Sequence, residues 1–120
     1  MEPSGEGTVI VKDKVLLGRL GEELACGLLY AQGYQILERR FRCPMGEIDL
    51  ICERDGALLF VEVKTRSDVR FGLPKEAVDR RKQGRMRRCA AYYMKTKGGA
   101  GKAASFQVVG ILVEQIPGAF

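Results

Sequence analysis

The 120-residue chain has no histidine and no tryptophan. Without histidine there is no Ser-His or Cys-His nucleophile pair, no imidazole general base and no histidine-bearing zinc site. Acid–base or metal chemistry must run on carboxylates, lysines, cysteines or tyrosines. The four cysteines, Cys26, Cys43, Cys52 and Cys89, form no CxxC pair and are expected to be free thiols in a reducing cytosol. There is no run of about 18 apolar residues, which excludes a membrane-spanning helix. Residues 1–11 (MEPSGEGTVIV) lack the basic start, apolar core and cleavage site of a secretory signal. The expected location is cytoplasmic.

Hydrophobic residues make up 46% and charged residues 29%, the balance of a globular protein. The length suits one domain that buries roughly two-thirds of its unfolded surface. Residues 1–13, small and polar, read as a flexible tail, and 14–120 as the domain. Twenty Lys+Arg against fifteen Asp+Glu give a net charge of +5. That surplus favours a polyanionic partner, nucleic acid before an anionic membrane surface.

Leu17, Leu20, Leu24, Leu28 and Ala31 recur at steps of three and four, predicting a helix over 15–32 with one apolar stripe; Gly33 is its stop. Residues 34–42 read as a strand and 43–46 (CPMG) as a turn. Strands over 46–53 and 57–66 flank Arg54-Asp55-Gly56, and Asp-Gly is a strong hairpin signal. Pro74 suits the first turn of a second helix, running to about residue 94. Residues 96–105 form a flexible connection, and 106–116 a last strand. The order α-β-β-β-α-β predicts an α/β fold, a mixed sheet flanked by helices. GGAGK at 98–102 is no phosphate loop: Thr96 stands in place of the first glycine and Ala103 in place of the magnesium-binding hydroxyl.

Side chains alternate along a strand, so Glu47, Asp49 and Ile51 share one face, as do Phe60, Glu62, Lys64 and Arg66. With Asp55-Gly56 as a two-residue loop, Arg54 opposes Ala57. Asp49 then opposes Glu62, and Glu47 opposes Lys64. Directly opposed β-carbons lie about 5 Å apart, a distance at which two carboxylates repel. A divalent cation turns that repulsion into binding, since magnesium takes oxygen ligands at about 2.1 Å. Lys64, roughly 6.6 Å further along the strand, could orient or deprotonate an attacking water and stabilise developing charge. The purely structural alternative is a solvated face with a Glu47–Lys64 ion pair.

GEIDLI, a short turn and then FVEVKTR resemble the PD-(D/E)XK signature of restriction-endonuclease-like nucleases. GRLGEELA at 18–25, GEIDLI at 46–51, FVEVKTR at 60–66, KQ at 82–83 and the terminal EQIPGAF resemble, in order, the YraN-like family of bacterial proteins in that superfamily. The resemblance covers about residues 15–120. It implies a restriction-endonuclease-like fold, Asp49 and Glu62 as ligands of Mg2+ or Mn2+, and Lys64 as the catalytic lysine. By similarity to archaeal Holliday-junction resolvases it implies Glu22 as a further acidic ligand and DNA, branched DNA included, as substrate. On the helical wheel Glu22 points away from the leucine stripe, where a solvated charge is the alternative. Gln83 is implied as a supporting residue. Two positions depart from the family: Arg40 replaces the usual Asn, and Gln107 the usual Asp.

Lys75, Arg80, Arg81, Lys82, Arg85, Arg87 and Arg88 crowd the second helix, over a thin seam of Val78, Met86, Cys89, Ala90 and Tyr93. Lys75, Arg80, Arg81, Lys82, Arg85 and Arg88 are the candidate phosphate contacts. The seam lacks the bulky face of a membrane-surface helix. The expected activity is metal-dependent phosphodiester hydrolysis in DNA, with no small-molecule cofactor and a second copy of the chain as a candidate partner. The alternatives are a catalytically silent nucleic-acid-binding module of the same fold and a protein with no nucleic-acid role.

Overall fold

The computed structural model describes residues 11–67 and 79–120. Among these residues the order is α1 (Lys14–Ala31), β1 (Gln35–Cys43), β2 (Gly46–Arg54), β3 (Ala57–Arg66), α2 (Arg80–Thr96) and β4 (Ala104–Leu112). The strands form one mixed sheet in the order β1-β2-β3-β4. β1, β2 and β3 are antiparallel neighbours, and β4 lies parallel to β3 after the crossover that contains α2. The architecture is the α-β-β-β-α-β sheet expected from sequence, and it is compatible with a restriction-endonuclease-like fold. No helix among the described residues is long and apolar enough to cross a membrane.

Near its turn the hairpin has the expected register, and the expected pairs Asp49↔Glu62 and Glu47↔Lys64 fall beyond the regular ladder. Asp55 and Gly56 both adopt positive φ, 53° and 78°, the requirement of the tight turn whose twist matches the flanking strands. Arg54 pairs with Ala57, and the ladder continues to Leu50↔Val61. The last strand ends at Leu112, short of the expected residue 116, because its partner β3 ends opposite it at Arg66.

Two expectations about the helices need correction. The leucine stripe of α1 faces away from the sheet: Leu20 and Leu24 are more than half exposed, Leu28 is 45% exposed and Leu17 is half-buried, and Gly21, Ala25, Cys26 and Leu29 are the buried face. The small residues let the helix approach closely. A Cβ on Gly21 would lie 1.8 Å from Thr65 Oγ1 on β3, so the contact requires glycine there. The second helix begins at Arg80, not Pro74, because Asp79 is extended and its side chain accepts from the Lys82 amide at 2.9 Å, forming the N-cap. Pro74, Lys75 and Val78 lie outside the described residues.

α1 packs with Leu50, Cys52, Leu59, Val61 and Val109 on one side of the sheet. α2 packs through Cys89, Ala90 and Tyr93 on Phe41, Ile48, Ile51, Leu58 and Phe60 on the other. Met86, Cys89, Ala90 and Tyr93 are buried as the seam predicted. Tyr93 stands edge-on to Phe41, with ring centroids 5.1 Å apart, so it belongs to the core.

Candidate metal and nucleic-acid site

Period-two alternation along β2 breaks at Asp49. Ile48 packs in the α2-side cluster with Ile51, whereas strict alternation would place it with Leu50. Beside it on β1, Arg40 sits at φ 52°, between the pairs Arg39↔Leu50 and Phe41↔Ile48. That left-handed conformation is costly for an arginine. The irregularity falls one residue beyond the last regular β2–β3 pair, where the candidate site begins.

Asp49 and Glu62 are brought together there. Asp49 Oδ2 accepts from the Val63 amide at 2.7 Å, and its carboxyl is also a hydrogen-bonding neighbour of Glu62. Burial pushes the Asp49 carboxyl up to about 6, against the Val63 hydrogen bond, and the charges of Glu62 and Glu22 add to the rise. Glu62 is 6% exposed and, among the described residues, is the charged residue buried in the core. A buried carboxylate is held only if it is compensated, and Lys82 Nζ stands 2.5 Å from Glu62 Oε2.

Lys64, half-buried, shares this neighbourhood. Burial holds its ammonium below the usual lysine range, helped by the charges of Lys82 and Arg66 and opposed by Glu62. Burial works on Lys82 too, but its hydrogen bond and charge interaction with Glu62 win, so its affinity for the proton rises. Arg66 Nε is buried with no hydrogen-bond partner. Lys64 and Lys82 thus face Glu62, Lys82 also feels the charge of Asp49, and Arg66 lies within charge range of Lys64. The Glu47–Lys64 ion pair of the structural alternative does not form; Glu47 pairs with Arg42 at 3.3 Å.

Glu22 lies on the buried face of α1, a consequence of the reversed stripe. Its side chain is 22% exposed, and Oε1 accepts from Arg40 Nε at 3.0 Å. It is close enough to contribute to the Asp49 shift. Among the described residues no three His, Cys, Asp or Glu side chains gather tightly enough to enclose a metal. The donor set still fits magnesium or manganese, hard cations that bind through one or two carboxylates and complete their shell with water and substrate phosphate.

On α2, Arg80, Arg81, Arg85, Arg87 and Arg88 are exposed, and Lys82 turns inward to Glu62. Gln83 is exposed on the first turn beside Lys82. The four cysteines are free; Cys43 and Cys89 sit with sulfurs 3.1 Å apart, and burial drives the Cys89 thiol up to about 12. Three features escaped the sequence reading: Arg40 as partner of Glu22, Lys82 as partner of Glu62, and Asp79 as cap. Only the last had a local signal, an aspartate just before a run of helix formers.

The fold and the paired carboxylates define a mixed α/β protein with a half-buried acidic and basic cluster at one end of its central hairpin. The chain belongs to UPF0102, an uncharacterised protein family, whose model matches residues 21–111. It is 47% identical over 98 residues to a UPF0102 protein of Moorella thermoacetica, covering 82% of each chain. With a UPF0102 protein of Syntrophomonas wolfei it shares 51% over 98 residues, covering 82% of this chain and 85% of that one. A solved structure, Pyrococcus furiosus SfsA in complex with Ca2+, superposes with TM-score 0.46 at 18% identity, covering 95% of this chain and 52% of that one. A likeness at that level carries no functional argument.

Proposed function

We propose that this protein is a metal-dependent endonuclease that hydrolyses phosphodiester bonds in DNA, with branched or junction DNA among its substrates. The observation that carries the reading is the meeting of Asp49 and Glu62 at the irregular end of β2, with Lys64 beside them. Asp49 and Glu62 would hold Mg2+ or Mn2+, and Glu22 would join them once free of Arg40. When bound, such a cation supplies a water of lowered pKa and neutralises charge on the phosphate. Lys64, held below the ordinary lysine range, is neutral in a larger fraction than a free lysine, so it is available to accept a proton from the attacking water and then to donate hydrogen bonds to the phosphate. The exposed arginines of α2 hold the DNA backbone by charge.

The second reading is a silent nucleic-acid-binding module of the same fold. One observation favours it: Glu62 and Glu22 are already paired within the chain, to Lys82 and Arg40. Incubation of the protein with linear duplex, single-stranded and four-way-junction DNA, with Mg2+ or Mn2+, separates the two. The nuclease reading expects cleavage that chelator abolishes; binding without cleavage of any substrate supports the silent module.

A further inference from the structure

Two cations, Lys64 and Lys82, face the carboxylates of Asp49 and Glu62, and Arg66 lies within charge range of Lys64. The chain's own ammonium occupies Glu62 Oε2 at 2.5 Å, the atom a divalent cation would use. Entry of a doubly charged ion into this cluster adds repulsion against cations already close enough to lower Lys64. The cation easiest to release is the one on a flexible stem with a route out. Lys82 meets that description: it sits in the first turn of α2, its side chain is 27% exposed, and exposed Arg81 and Arg85 lie on the same helix.

We propose that Lys82 is an exchangeable counter-ion. It neutralises Glu62 in the metal-free protein, and on metal binding it leaves Glu62 for a non-bridging phosphate oxygen of the DNA. The inference rests on the nuclease reading and adds its regulation: metal and DNA bind with positive coupling, because each takes one partner of the same ion pair. The hydrolytic site therefore loads metal poorly until a polyanion offers Lys82 another partner.

The test is calorimetric titration of Mn2+ into the full chain, alone and bound to a short phosphorothioate DNA duplex that resists cleavage. Lys82→Met should bind Mn2+ without DNA about tenfold more tightly than wild type, which one pKa-unit-sized interaction would produce. The enhancement of Mn2+ affinity by DNA, present in wild type, should largely vanish in Lys82→Met. Lys82→Arg, still a cation at Glu62, should keep both wild-type behaviours. Lys95→Met, which removes one charge from the last turn of α2, should leave Mn2+ affinity unchanged. A purely structural Lys82 would alter the melting temperature yet leave Mn2+ affinity and its coupling to DNA at wild-type values, and that result overturns the proposal. If Lys82→Met fails to fold, Lys82→Gln carries the same comparison. Wild type and variant both failing to bind Mn2+, with and without DNA, would refute the nuclease reading itself, an outcome distinct from equal binding.

Discussion

The backbone amide of Val63 donates to Asp49 Oδ2 across 2.7 Å, fixing the carboxylate beside Glu62 where β2 leaves its regular ladder. Burial nonetheless outweighs that hydrogen bond and favours the protonated form of Asp49, with a value of about 6 against an ordinary 3.8. An acid whose pKa is raised by folding binds its proton more tightly in the folded state. Its contribution to stability is complete below the unfolded value and is lost as pH rises through about 6. The melting temperature of the metal-free protein should therefore fall, relative to Asp49→Asn, between acidic and neutral pH. Parallel profiles for the two proteins would contradict this, and added Mg2+ should narrow the gap at neutral pH.

The orientation of α1 is tested by paired substitutions. Leu29 is fully buried, so Leu29→Ala should cost about 2–5 kcal/mol. Leu24 is 58% exposed, and Leu24→Ala should change stability by less than about 1 kcal/mol. Gly21→Ala should lose at least about 1–3 kcal/mol to the clash with Thr65. Gly27→Ala, with open space around its Cβ, should gain up to about 1 kcal/mol of helix propensity. Urea unfolding of the four variants reads all these values; a larger loss at Leu24 than at Leu29 would reverse the helix.

These contrasts show what the sequence could disclose. The hairpin was legible because Asp55-Gly56 sets both turn type and register locally. The helix face was not, because hydrophobic periodicity weights the leucines, and the packing face is built from Gly21, Ala25 and Cys26, whose merit is small size. The start of α2 was misplaced because Pro74 resembles a helix opening and Asp79, the actual cap, is an equally short signal. Asp49, Glu62 and Lys64 are drawn out by alternation and the pairing expected from the turn, together with the resemblance of GEIDLI and FVEVKTR, although the ladder itself stops at Leu50↔Val61. Arg40 at Glu22 and Lys82 at Glu62 could not, since each pair joins elements separated in the chain and brought together only by packing.

Arg40 carries backbone strain at φ 52°. Asn tolerates that region better than Arg, and it is the residue usual in the family this sequence resembles. Arg40→Asn should relieve about 1 kcal/mol or more of strain, against an ion pair with Glu22 that is partly solvated and contributes at most about 1 kcal/mol. Net stability should be equal or higher, and Mn2+ affinity should rise as Glu22 is released. Equilibrium unfolding and metal titration of the variant check both; a loss of both stability and metal affinity would count against the assignment of Glu22.

The exposed cations of α2 should make DNA affinity fall steeply with salt, each neutralised phosphate contributing about 0.9 to the log–log slope. Replacing Arg81, Arg85 and Arg88 with Glu should weaken binding to all sequences alike and flatten that slope, because phosphate contacts carry no sequence information. Fluorescence anisotropy across a salt series measures it. An unchanged slope would move the DNA surface away from α2.

Hydrolysis at Asp49, Glu62 and Lys64 is tested most directly by cleavage of four-way-junction and linear DNA by Lys64→Ala beside wild type, with Mn2+ occupancy confirmed in the same samples. Wild type should cleave with Mg2+ or Mn2+ and stop with chelator, and Lys64→Ala should bind the metal yet leave the DNA intact. Metal-loaded wild type that leaves every DNA intact, or Lys64→Ala that cleaves as fast as wild type, would contradict hydrolysis at these residues.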